Sequence, residues 1–151
     1  MNDVYRKAVE VLKEGRRCVL ATMVRQAGPS PRHLGTKCLV LEDGSVAGTI
    51  GGGLLEARTI ETARTVLETG KPARMALSLA GGDVAETEML CGGDVEVFLE
   101  PLVPEDLSSF TLFSRLRSLI NRGGSGLLAT VLDAGHWRKG KAAREFLSEG
   151  E

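Results

Sequence analysis

Val4, Ala8, Val11 and Leu12 recur at helical spacing with polar residues between them. They predict an amphipathic first helix, with Asp3 as its N-cap and Gly15 as its stop. The pattern then changes, because Cys18-Val-Leu-Ala-Thr-Met-Val24 is almost continuously apolar. Such a run has no polar face to offer water, so it predicts a strand covered on both sides in the middle of an α/β sheet. Gly28-Pro-Ser-Pro-Arg-His-Leu-Gly35 holds two prolines and reads as a loop. Residues 38–41 and 45–50 predict two strands joined by a hairpin turn at Asp43-Gly44. Helical spacing returns after Gly51-Gly52-Gly53, with Leu54, Ala57, Ile60, Ala63 and Leu67 expected on the buried face and Gly70 at the end. Residues 73–79 and 94–99 predict further strands, the second alternating at Val95, Val97 and Leu99. The acidic, glycine-rich stretch 80–88 between them is expected to be a mobile connection.

A second round of the same pattern follows. A helix is predicted over 107–122, with Leu112, Phe113, Leu116, Leu119 and Ile120 inward, then a strand over 126–133. VLKEGRRCVLATMV at 11–24 aligns without a gap on LINRGGSGLLATVL at 119–132, so helix, glycine and a strand containing Leu-Ala-Thr occur twice. The alignment sets Phe146-Leu147 against Val40-Leu41 and Gly150 against Gly44. The expected fold is α/β, a mixed sheet with flanking helices and a weak internal helix–strand repeat. One domain is expected over 1–151, with a first unit at 1–105 and a partial second unit at 106–151.

Composition narrows the functions. The 151 residues are 42% hydrophobic and 26% charged, as in a globular domain with a real core. A formal charge of −1 supplies no global field for nucleic acid or an anionic membrane. Aromatics at 4% leave few platforms for stacking bases. The N-terminus lacks a signal-peptide apolar core, and no apolar run approaches a membrane span, so a cytoplasmic protein is expected. In that compartment the three cysteines are not expected to form disulfides. With no Cys-x-x-Cys pair, and with His33 and His136 far apart, a zinc site has little support.

The clearest chemistry lies where the glycines meet a helix. A first helical turn leaves N–H groups without partners, and the helix dipole adds partial positive charge there. Gly51, Gly52 and Gly53 let a ligand approach that backbone, and an oxyanion is the natural guest. Arg32 and Ser30, on the proline loop, supply a bidentate cation and a neutral donor for the same anion. A Walker loop requires Gly-Lys-Ser/Thr, and Gly53 is followed by Leu54-Leu55. The dinucleotide fingerprint Gly-x-Gly-x-x-Gly fails as well, because Gly51-x-Gly53-x-x ends on Glu56. The bland alternative is that these glycines serve only close helix–strand packing, and that Glu56 is a dipole and capping partner. Cys91-Gly92-Gly93 is a second candidate, a thiol in open backbone, against the reading of a small buried hydrophobe. Cys18 and Cys38 fall in predicted buried strands and read as core.

Gly28-Pro-Ser-Pro-Arg32, Gly35-Thr-Lys-Cys-Leu-Val40, Gly44, Gly48-Thr-Ile-Gly-Gly-Gly-Leu-Leu-Glu56, Cys91-Gly-Gly93 and Glu100-Pro101 together resemble the XdhC/CoxI family. Its members are accessory proteins for molybdenum hydroxylases of the xanthine dehydrogenase and carbon monoxide dehydrogenase type. The resemblance runs from the first helix to Pro101, with a looser echo beyond. It implies a chaperone that binds molybdenum cofactor, assists its sulfuration with a cysteine desulfurase and delivers it to an apo-hydroxylase. It implies a cofactor site of Ser30, Arg32, Gly51, Gly52, Gly53, Glu56, Cys91, Gly92 and Gly93, with Cys91 as a contact to molybdenum. A homodimer is expected too. Two departures stand out: Leu54 sits where many relatives have a cysteine, and a C-terminal Rossmann-like domain does not fit in 151 residues. Readings from other classes are a nucleotide-binding enzyme using the glycine loop, and a non-catalytic subunit-interaction module.

Overall fold

The computed structural model describes residues 2–28, 30, 32–78, 93–133 and 144–148. The first helix, α1 (Asn2–Lys13), buries Val4, Ala8, Val11 and Leu12 as its spacing predicts, together with Tyr5 and Val9. It is already helical at Asn2, so Asp3 lies inside the first turn and is not the N-cap. Gly15, at φ 72°, ends the turn that leads into the first strand.

Among the described residues seven strands follow in two sheets. β1 (Cys18–Ala27), β2 (Lys37–Leu41), β3 (Val46–Gly48), β4 (Ala73–Ser78) and β5 (Asp94–Leu102) form one sheet in the order β3-β2-β1-β5-β4. β1 is central, as its unbroken apolar run predicts. Helices and strands combine as expected, but every pairing in this sheet is antiparallel, where mixed directions were expected. Parallel neighbours need a long crossover between them. Here a tight turn joins β2 to β3, and α2 (Gly53–Thr69) carries the chain from the β3 edge to the β4 edge.

Side chains alternate across the sheet and build a core on each face. On one face Leu20, Leu39 and Leu102 meet α1 and α3 (Leu107–Asn121). Tyr5 and Phe113 stack there with centroids 5.6 Å apart. On the other face Val19, Ala21, Val40, Val97 and Leu99 meet α2. The buried stripe of α2 is Leu55, Thr59, Ala63 and Val66. The expected stripe is thus displaced: Ala57 is exposed, and Leu54, Ile60 and Leu67 are half-buried. Thr59 can face inward because its hydroxyl donates to the Leu55 carbonyl at 2.7 Å, so no polar group is left unpaired.

The hairpin turn is as expected. Gly44 has φ 83°, and Asp43 accepts from the Ser45 amide at 2.9 Å. Gly70, at φ 67°, closes α2 by donating its N–H to the Val66 carbonyl.

β6 (Gly126–Thr130) and β7 (Arg144–Ser148) form a separate antiparallel pair. Helix, glycine and strand recur as the repeat predicts. Leu128 pairs with Phe146 as Leu20 pairs with Leu39, so Phe146 stands in the place of Leu39 and Leu147 in that of Val40. That is one residue away from the expected alignment, because the ungapped match stops before the intervening loop and does not fix its length. The stretch 80–88, His136 and Gly150 lie outside the described residues.

Candidate functional site

Strand register determines which loops meet. β1 ends at Ala27 opposite Asp94, the first residue of β5, and Asp94 is also opposite Ser78, the last residue of β4. On the other side β2 begins at Lys37 opposite Thr22, and β3 ends at Gly48 opposite Cys38. The proline loop, the glycine run that opens α2 and the entry to β5 therefore all leave from one end of the sheet. Ser30, Arg32, Gly51–Gly53, Glu56 and Gly93 are brought to that end. Cys91 and Gly92 lie outside the described residues.

The glycine run has the backbone that only glycine takes readily. Gly48, Gly51, Gly52 and Gly53 have φ of 80°, 142°, 77° and 54°. At Gly48 the requirement is also steric, since a Cβ would come within 3.0 Å of Val4 Cγ2 and 3.1 Å of the Lys37 carbonyl. At Gly52 a Cβ would meet nothing within 4 Å, so the backbone there faces open space. Gly52 caps α2 without any side-chain hydrogen bond to the first turn. Glu56 accepts from Thr49 Oγ1 at 2.9 Å, and Thr49 Oγ1 accepts from the Gly51 amide at 3.2 Å. This chain braces the glycine run from within. At the same sheet end, Ser30 Oγ is buried without a hydrogen-bond partner among the described residues, and Arg32 is exposed.

The remaining sulfurs and histidine behave as core and surface. Cys18 and Cys38 are fully buried, and loss of hydration pushes both thiols up to about 12. His33 is exposed. Among the described residues no group of His, Cys, Asp and Glu side chains is arranged to hold a metal ion.

The most concentrated polar cluster was not singled out from sequence. Glu100 accepts from Arg144 Nη2 in a pair whose side chains are only 4% and 7% exposed. Arg144 Nη1 donates to Ser109 Oγ at 2.7 Å, and Ser109 Oγ donates to Asp106 Oδ2 at 2.6 Å. The guanidinium also lies 5.3 Å from the Phe113 ring centroid. Burial raises the pKa of Glu100, and Arg144 pulls it back down. Burial lowers the pKa of Lys37, and Glu100 opposes that. Alternation in β5 puts Glu100 on the face of Asp94 and Glu96, which reads as a solvent face. The packing of α1 and α3 on this face and the approach of Arg144 from β7, both long-range facts, bury the carboxylate.

The pair borders a cavity of about 620 Å3 on the α1–α3 face, between the main sheet and the β6–β7 layer. It lies on the opposite face of the sheet from α2. Among the described residues no helix is long and apolar enough to cross a membrane.

Comparison with known proteins bears on the first half of the chain most directly. Residues 11–78 match the model of the XdhC and CoxI family. The uncharacterized protein YqeB of Escherichia coli (strain K12) is 34% identical over 101 residues, which cover 64% of this chain and 18% of YqeB. The molybdenum cofactor insertion chaperone PaoD of the same organism is 31% identical over 99 residues, 66% of this chain and 31% of PaoD. A crystal structure of a xanthine dehydrogenase from Bacillus halodurans superposes with a TM-score of 0.67 at 24% identity, over 93% of this chain and 41% of that one. The last likeness concerns the fold. This chain spans less than half the length of each of these relatives.

Proposed function

We propose that this chain, whose residues 11–78 match the XdhC and CoxI family model, is a molybdenum-cofactor-binding accessory protein, a chaperone in the maturation of a molybdenum hydroxylase. What supports the reading is that an uncapped helix start, an orphaned hydroxyl and an exposed guanidinium all lie on loops that leave one end of the sheet. The cofactor is a pterin with a dithiolene-bound metal and a terminal phosphate. Its phosphate and oxo groups are acceptors, and the donors they would meet are the first-turn amides after Gly52, Ser30 Oγ and Arg32. Glu56 holds the glycine run in shape through Thr49 and leaves those amides to the ligand. Cys91, two positions before Gly93 in sequence, supplies a soft sulfur for the metal in this reading. The partners are the apo-hydroxylase that receives the cofactor and a cysteine desulfurase that sulfurates it, with the accessory protein acting as a homodimer. The chain itself turns over no substrate.

Thermal denaturation with molybdenum cofactor, ATP and NAD tests this. A ligand at about a hundredfold excess over its Kd adds about 2.7 kcal/mol of stability. Molybdenum cofactor alone is expected to raise Tm, and Arg32→Ala is expected to abolish most of the rise while leaving the ligand-free Tm unchanged. Stabilisation by ATP alone would make the glycine run a nucleotide site. No response to any ligand would leave a subunit-interaction module.

A further inference from the structure

The cavity between the main sheet and the β6–β7 layer plays no part in the function proposed above. Its walls are largely apolar, with Leu20 and Phe98 from the sheet, Leu119 and Ile120 from α3, and Leu128 from β6. Among the described residues three charged side chains line it, Lys37, Glu100 and Arg144. Glu100 and Arg144 satisfy each other in a buried pair. Lys37 is different. Its ammonium donates to the Gly35 carbonyl at 3.1 Å and makes no salt bridge among the described residues, which leaves two N–H donors free.

A second buried donor points the same way. Among the described residues Arg144 Nε has no hydrogen-bond partner, although its side chain is 93% buried and the residue lines the cavity. A buried N–H without an acceptor costs about 1–3 kcal/mol, so the site favours any guest that brings one. Thr22, opposite Lys37 in the β1–β2 register, also lines the cavity and adds a hydroxyl.

We propose that this cavity is a binding site for a small organic monoanion, an aryl or alkyl carboxylate whose acid group meets Lys37, Thr22 and Arg144 and whose apolar body lies between Phe98 and α3. The volume, about 620 Å3, falls in the usual range for a small-molecule site and accommodates a body of two fused rings. A dianion such as a free phosphate would bring more charge than one unpaired ammonium balances, and no apolar body to fill the walls. The acid group and the apolar body are both required.

Calorimetric titration of the 151-residue protein at neutral pH, with 2-naphthoate and its neutral isostere 2-naphthamide as probes, tests this. The expected result is saturable one-to-one binding of 2-naphthoate, with 2-naphthamide at least tenfold weaker. Lys37→Gln should weaken 2-naphthoate tenfold or more, down to the level of the amide. Leu119→Trp, which fills the cavity from α3, should remove binding of both probes. Circular dichroism checks that each variant is folded, and Thr22→Val replaces Lys37→Gln if that variant is not. Absence of saturable 2-naphthoate binding overturns the proposal, as do equal affinities for the two probes, or 2-naphthoate affinity that neither polar substitution changes.

Discussion

The two copies of the helix–glycine–strand pattern end in opposite circumstances. β1 is the central strand of five, with β2 on one edge and β5 on the other, and Cys18, Val19, Leu20, Ala21 and Met23 are buried. β6 carries the same Leu-Ala-Thr, yet among the described residues it has only β7 beside it, and Leu127 is 63% exposed. Local pattern therefore set the kind of element in both copies and the burial of neither. Burial came from what each strand was given to pair with and which helices lay over it. An isolated two-stranded ribbon is marginal in water. The β6–β7 pair is tied to the rest of the fold by Leu128, which packs against the main core, and by Arg144, the first residue of β7, which reaches Glu100 of the main sheet and Ser109 of α3.

That contrast can be broken most sharply at the ion pair. Glu100→Ala leaves the Arg144 guanidinium buried without its carboxylate, and it is expected to cost about 3–5 kcal/mol in urea unfolding. The double variant Glu100→Leu with Arg144→Met is expected to recover most of that loss, since a buried pair replaced by apolar groups is often neutral. If the single variant lost less than about 1 kcal/mol, within the range of an exposed pair, the β6–β7 layer would not be anchored there.

The next effect compares one leucine from each strand. Leu20, 2% exposed in β1, is expected to lose about 2–5 kcal/mol on truncation to Ala. Leu127→Ala in β6 should stay within about 0.5 kcal/mol of the parent. Similar losses in the two variants would mean that β6 is as enclosed as β1.

The smallest effect belongs to the first unit's hairpin. Hydrogen bonds from Ser45 hold the Asp43 carboxyl below its ordinary 3.8. A carboxyl with a depressed folded pKa stabilises above its unfolded value, and the contribution is lost as pH falls through the folded one. Chemical shifts of the Ser45 amide should therefore titrate with a midpoint below 3.8. A midpoint at or above that value would show that the turn is not held by Asp43.

Much of the first unit was legible in the sequence, for reasons that are local. Val4, Ala8, Val11 and Leu12 declare one helical face, Asp43-Gly44 demands a hairpin, and Gly70 supplies the left-handed residue that ends α2. The buried stripe of α2, Leu55, Thr59, Ala63 and Val66, includes a threonine that apolar spacing does not reveal, because its hydroxyl is satisfied by its own helix. Strand direction was not legible either, since pairing partners are chosen across the chain. Of the candidate site, the glycine run and the proline loop were visible as motifs. Glu100 was seen only as part of a motif, and Arg144 and Lys37 went unnoticed as chemistry, because their meeting depends on α3 and β7 folding back over β5.

The sheet has two unlike ends, and that asymmetry has a practical consequence. Opposite the loops of the candidate site lie the turns at Gly15, Gly44 and Gly70, compact and tied by short backbone hydrogen bonds. Substituents there would lie at the other end of the sheet from the proline loop and the glycine run. That end is the natural handle of the molecule, the place to attach a fluorophore, a surface tether or a fusion partner while the opposite end stays free to meet its guest.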